Sequence, residues 1–203
     1  MKKIAIAAAV AATTFGAAAQ QGQVNIIYSV QAEWCNLMST VYARTTGVKV
    51  NMTAKGSGEA LAQLNAEKAN PKTDIWFGGT GDPHLQAAEQ GLLEPYRPPS
   101  YGQLYDWAQR QYTLSKDMVG GFYTSAIGFG WNEDVLKKKN LPPPKCWADL
   151  ADPKYKGEIE TSHPGTSGTG YTIVAGLVQL MGEDAAFEYL KKLHRNVTQY
   201  TRS

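Results

Sequence analysis

Three stretches of this chain set Gly, Ser and Thr together where a strand-like run gives way to a helix-like one: Lys55-Gly56-Ser57-Gly58, Gly78-Gly79-Thr80-Gly81 and Gly165-Thr166-Ser167-Gly168-Thr169. A helix N-terminus presents unpaired backbone N–H groups and about half a positive charge, and glycine lets an anion approach the backbone closely. Such loops can capture an anion. The plainer alternative is that Ser57, Asp82 and Ser167 merely cap their helices. Three loops at the carboxyl ends of strands favour capture, because ligands of open α/β sheets bind there.

Covalent chemistry finds less support. Gly56-Ser57-Gly58-Glu59-Ala60-Leu61 begins like a dinucleotide fingerprint but carries Leu61 where the third glycine belongs. Gly165-Thr166-Ser167-Gly168-Thr169 ends in threonine where a hydrolase nucleophile elbow ends in glycine. His84, His163 and His194 lie far apart, without zinc-ligand spacing. His194 reads as a partner for a helix C-terminus, and Lys137-Lys138-Lys139 as a solvated helix end. No catalytic residue, metal or cofactor is expected.

The elements that must position the loops alternate. Strands are predicted at 24–29, 48–53 and 74–77, and helices at 33–43, 59–69 and 83–93, the last with Leu85, Ala88 and Leu92 inward. Successive β-α units imply a parallel sheet. Proline interrupts after residue 94, and a Tyr- and Trp-rich segment leads into 121–132, long and extended enough to run from one lobe to another. Beyond Pro142-Pro143-Pro144 come a turn near 147–150, a strand at 158–161, helices at 168–181 and 185–194, and a strand from Val197. The first of these helices is expected to bury Tyr171, Val174, Val178 and Met181.

Composition bounds the address and the partners. The 203 residues hold 43% apolar and 19% charged side chains with five Trp, a globular composition of one large domain or two small ones. Met1-Lys2-Lys3, a short apolar run and Ala17-Ala18-Ala19 read as a signal peptide over 1–19, too short to span a membrane. Its removal takes Lys2 and Lys3 away and leaves basic and acidic residues balanced, with no surplus for a nucleic-acid partner. Export would place Cys35 and Cys146 in an oxidising space, where they are a disulfide candidate; two free thiols are the alternative.

Further motifs join these: Asp74-Ile75-Trp76-Phe77-Gly78-Gly79-Thr80, Gly91-Leu92-Leu93-Glu94, Gly128-Phe129-Gly130-Trp131-Asn132, Cys146-Trp147-Ala148-Asp149-Leu150, Asp152-Pro153-Lys154-Tyr155-Lys156-Gly157 and Ser167-Gly168-Thr169-Gly170-Tyr171-Thr172. With the signal peptide and Gly56-Ser57-Gly58-Glu59, this series resembles periplasmic substrate-binding proteins of ATP-binding cassette (ABC) importers, in the branch that holds binders of ferric iron, sugar phosphates and 2-aminoethylphosphonate. The resemblance implies an α/β, two-lobe type II periplasmic binding protein fold. Lobe one would take 20–120, the interlobe crossing 121–132 and a partial lobe two 133–203.

Members of that group are longer, so a C-terminally truncated chain is expected, with apolar surface bared around Ile159, Ile173, Val174 and Val197. The implied function is a periplasmic receptor that closes on a small anionic solute and presents it to a permease in the inner membrane, as a monomer when full length. Ser29, Ser57, Gly58, Gly79, Thr80, Thr166, Ser167, Gly168 and Thr169 are the expected ligand-binding residues. A phosphorylated sugar or phosphonate is favoured; ferric iron, or a secreted enzyme acting on phosphate esters, stays open.

Overall fold

A computed structural model describes residues 22–202, so the expected signal peptide lies outside the described residues. β1 (Gln23–Tyr28), α1 (Ala32–Thr46), β2 (Lys49–Ala54), α2 (Ser57–Glu67), β3 (Ile75–Phe77) and α3 (Gly81–Glu89) follow the predicted alternation. The strands form a parallel sheet in the order β2-β1-β3, with Ile26 beside both Met52 and Ile75. Parallel neighbours require a crossover, and α1 and α2 supply the two that this sheet needs. Small residues let the helices approach closely: Ala60 on α2 and Ala87 on α3 are fully buried, and Ile27 at the centre of the sheet is 2% exposed. On α3 the buried residues are Pro83 and Ala87, whereas of the expected stripe Leu85 and Ala88 are half-buried and Leu92 lies past the end of the helix at Glu89.

The Tyr- and Trp-rich segment contains a helix that periodicity did not show, α4 (Asp106–Leu114), which buries only Ala108. Residues 120–132 then run without helix or strand across the first unit. Phe122 meets Phe77 edge-on at 4.8 Å between ring centroids, and Tyr123 meets Trp34 at 5.8 Å. After α5 (Glu133–Lys138), a second unit comprises β4 (Ile159–Ser162), α6 (Gly168–Met181), α7 (Glu183–His194) and β5 (Val197–Thr201), with β4 and β5 parallel. Asn196, 2% exposed, ties this unit to the preceding turn by donating to the carbonyls of Leu150 and Asp152 at 2.8 and 2.7 Å.

α6 corrects its expected stripe. It buries Gly168, Gly170 and Leu177 and leaves Tyr171 and Met181 exposed. Glycine is the reason: a Cβ at Gly170 would lie 2.6 Å from the Ser162 carbonyl oxygen, so the helix seats its glycine side on β4. The apolar surface expected at Ile159, Ile173, Val174 and Val197 is half-buried; large exposed side chains stand instead at Leu37, Leu114 and Leu180. The expected disulfide is absent. Cys35 is buried on α1 and Cys146 is exposed ahead of a 3-10 turn at Trp147–Ala151, and both thiols are free.

Candidate ligand-binding cleft

Each strand of the first sheet ends at the cleft. After β1, Ser29 is pinned twice: its N–H donates to the Phe77 carbonyl at 2.9 Å and its Oγ accepts from Trp76 Nε1 at 3.1 Å. After β2, the Gly56 N–H donates to the Glu59 carboxylate at 2.9 Å, and Ser57 opens α2. After β3, Gly78 and Gly79 take φ of 76° and 92°, the left-handed region that favours glycine. Gly79 also needs its missing side chain, because a Cβ there would lie 2.3 Å from Ser57 Oγ. The Tyr123 hydroxyl accepts from the Gly79 N–H at 3.1 Å and donates to its carbonyl at 3.0 Å, which fastens this loop to the crossing segment. The Thr80 N–H donates to Ser57 Oγ at 3.4 Å, so two loops share one hydroxyl.

The second unit arrives through the start of α6. Ser167 caps that helix, its Oγ accepting from the Gly170 N–H at 3.3 Å. Gly168 then abuts the first unit: a Cβ on it would lie 2.3 Å from Thr80 Oγ1 and 2.7 Å from Ser57 Oγ. By position in the first turn, the N–H groups of Ser57, Gly81, Gly168 and Thr169 have no acceptor within their helices. The resulting cleft measures about 950 Å³. One part is hydroxyl and backbone, from Ser29, Ser57, Gly79, Thr80, Ser167, Gly168 and Thr169; another is aromatic, from Tyr28, Trp34 and Tyr123; and Lys55, Arg202 and Asp82 bring charge.

Those hydroxyls and glycines were expected at the site, but Gly58 and Thr166 do not line it. They are consumed in a seam between the units, where the Gly58 N–H donates to the Thr166 carbonyl at 3.0 Å. Arg202 Nε donates to Glu59 at 2.5 Å in the same seam, and Thr166 Oγ1 donates to the Arg202 carbonyl at 2.9 Å. The Arg202 guanidinium holds the Glu59 carboxyl below its usual range. Sequence reasoning missed Lys55, Trp34, Tyr123 and Arg202 as lining residues. Lys55 had a signal, a cation directly before a Gly-Ser-Gly loop; the others are brought in by tertiary structure. Among the described residues, no three His, Cys, Asp or Glu side chains gather as a metal site.

Two α/β units facing one another across a cleft at the carboxyl ends of their strands define the type II periplasmic binding protein fold. Residues 70–202 match the bacterial extracellular solute-binding proteins, and the chain belongs to that family. An uncharacterized protein of Haemophilus influenzae is 40% identical over 189 residues, 93% of this chain and 55% of its own length. The solved structure of the periplasmic binding protein P5PA superposes with a TM-score of 0.86 at 41% identity, over 90% of this chain and 58% of that one. The periplasmic binding protein AfuA from Actinobacillus pleuropneumoniae, solved with exogenous fructose-6-phosphate bound, gives 0.79 at 42% identity, again over 90% and 58%. The chain thus spans little more than half the length of these relatives.

Proposed function

We propose that this chain carries facing half-sites of a periplasmic receptor that captures a small phosphorylated or phosphonate anion and delivers it to an ABC permease. One observation carries this reading: the starts of α2, α3 and α6, from two units, meet on one cleft together with Lys55 and Arg202. Helix starts supply N–H donors and positive potential, and the serine and threonine hydroxyls add donors that suit phosphate oxygens. Asp82 would repel a phosphate and accept from a hydroxyl or ammonium elsewhere on the same solute, so it favours an organic body over inorganic phosphate.

Residues 20–120 and 133–203 act as the lobes, and 121–132 as the crossing about which they close; a solute touching both lobes binds the closed state better and shifts the population toward it. Capture needs no covalent step. The likeness to AfuA supports a sugar phosphate as the first solute to test. The test is calorimetry of the full-length protein with fructose 6-phosphate, 2-aminoethylphosphonate and ferric citrate, with free phosphate assayed alongside. Binding of a phosphorylated or phosphonate solute without phosphate release is expected. Binding of iron alone, or turnover of the ester, overturns the reading.

A further inference from the structure

We infer that Trp76, backed by His84, is a positioning residue for the cleft: its indole N–H occupies one lone pair of the Ser29 hydroxyl and turns the hydroxyl's single proton away from itself, which favours an anionic oxygen as that proton's acceptor. The inference rests on the anion-cleft reading and adds a determinant that does not line the cleft.

Trp76 lies on β3 beside Ile27 of β1. Its Nε1 is 3.1 Å from Ser29 Oγ. An indole N–H only donates, so the serine oxygen must accept and its single proton must point elsewhere. The Ser29 N–H is spent on the Phe77 carbonyl, which fixes the backbone from which that hydroxyl projects. Receiving the indole N–H fills one of the hydroxyl's two lone pairs and bars the proton from the Trp76 side, which leaves it to donate into the cleft that Ser29 lines.

Trp76 is itself held. His84 stacks on the indole at 3.7 Å between centroids and 23° between planes. Its Nε2 donates to the Gly78 carbonyl at 2.8 Å, a contact that places the proton on Nε2 because a carbonyl only accepts. Burial pushes the His84 pKa down, so the stacked ring is neutral. Gly78 starts the left-handed turn that presents Gly79 and Thr80, and a Cβ on it would fall 2.3 Å from Val30 Cγ1, so the turn has no slack. The Trp76-His84 pair therefore links the Ser29 loop to the Gly78–Thr80 loop and sets both.

The test is a double-mutant cycle on the full-length protein, read by calorimetry with fructose 6-phosphate and, in parallel, 2-aminoethylphosphonate. Trp76→Phe keeps an aromatic ring against His84 and deletes the donor; Trp76→benzothienylalanine does so with the bicyclic shape preserved. Each is expected to weaken binding about fivefold, consistent with loss of one hydrogen bond's orienting effect, while the ligand-free melting temperature holds. In a Ser29→Ala background the same changes are expected to alter affinity less than about twofold, because the group being oriented is gone. An equal loss in both backgrounds, or none in the first, overturns the positioning role and leaves the anion cleft standing. No effect of Ser29→Ala alone overturns it too. Failure of the parent to bind either probe removes the cleft reading and this role together.

Discussion

Gly168→Ala tests whether closure of the two units, and not either unit's folding, sets ligand affinity. An added Cβ would lie 2.3 Å from Thr80 Oγ1, 2.7 Å from Ser57 Oγ and 2.9 Å from Thr80 Cγ2. Ordinary carbon contacts begin near 3.5 Å, so roughly 1 Å of separation is required. Turning the Thr80 side chain gives only partial relief, because Ser57 Oγ stays 2.7 Å away and is held there by the Thr80 N–H. Overpacking of this size costs about 1–3 kcal/mol. The atoms that clash belong to opposite units, so the strain falls on the closed arrangement; at about 1.4 kcal/mol per tenfold, affinity drops roughly 5- to 150-fold. The assay is calorimetry with fructose 6-phosphate beside ligand-free melting. Gly176→Ala is the control, since a Cβ there meets nothing within 4 Å. In a helix interior that change should stabilise by about 0.5–1 kcal/mol and leave affinity alone. Unchanged affinity in Gly168→Ala, or ligand-free destabilisation as large as the affinity loss, would refute the reasoning.

Three further outcomes follow from other contacts. Asn196→Ala leaves the half-buried Leu150 and Asp152 carbonyls without their donor and should cost about 1–3 kcal/mol in urea unfolding; a loss below about 0.5 kcal/mol would contradict the anchoring described above. Because the Arg202 hydrogen bond depresses the folded pKa of Glu59, its contribution to stability is present above the unfolded carboxylate value of about 4.3 and is lost as pH falls through the lower folded value. The parent should therefore lose more stability than Glu59→Gln between about pH 6 and about pH 3, and parallel urea midpoints would refute the coupling. With both thiols free, one burial-shielded at Cys35 with its pKa raised and one exposed at Cys146, native protein should titrate one thiol and unfolded, unreduced protein two; no titratable thiol after unfolding would restore the disulfide.

The alternation of β1 to α3 was legible because each element is short, periodic and bounded by Gly, Pro or Asn, and because parallel pairing follows from strands separated by helices. Two failures have one cause. On α3 and α6 the largest apolar residues were taken to face inward, whereas the buried positions are Pro83 and Ala87 on one and Gly168, Gly170 and Leu177 on the other. Where a helix must lie close to a backbone, small residues mark the packed side and large ones flank it. Hydrophobicity alone therefore points to the flanks. α4 escaped notice for a related reason: with only Ala108 buried, it has too little apolar face to register as a period.

The site divides along the same line between local and distant causes. A Gly-Ser-Gly loop at a strand end carries donors in its own backbone, and Ser57, Gly79, Thr80, Ser167 and Gly168, expected at the site on that ground, line the cleft. Gly58 and Thr166 carry the same local signature yet face the seam, since which of two adjacent glycines turns to the ligand depends on what packs behind it. The Glu59–Arg202 pair spans 143 residues of sequence, and neither residue's neighbours specify the other. The donors a loop carries are thus local, whereas whether they face the cleft or the seam is settled by the opposite unit. The three glycines at Gly56, Gly58 and Gly168 show that this choice is steric: at each, a Cβ would strike an atom of the other unit at 2.3 Å, so glycine at these positions serves the meeting of the two units.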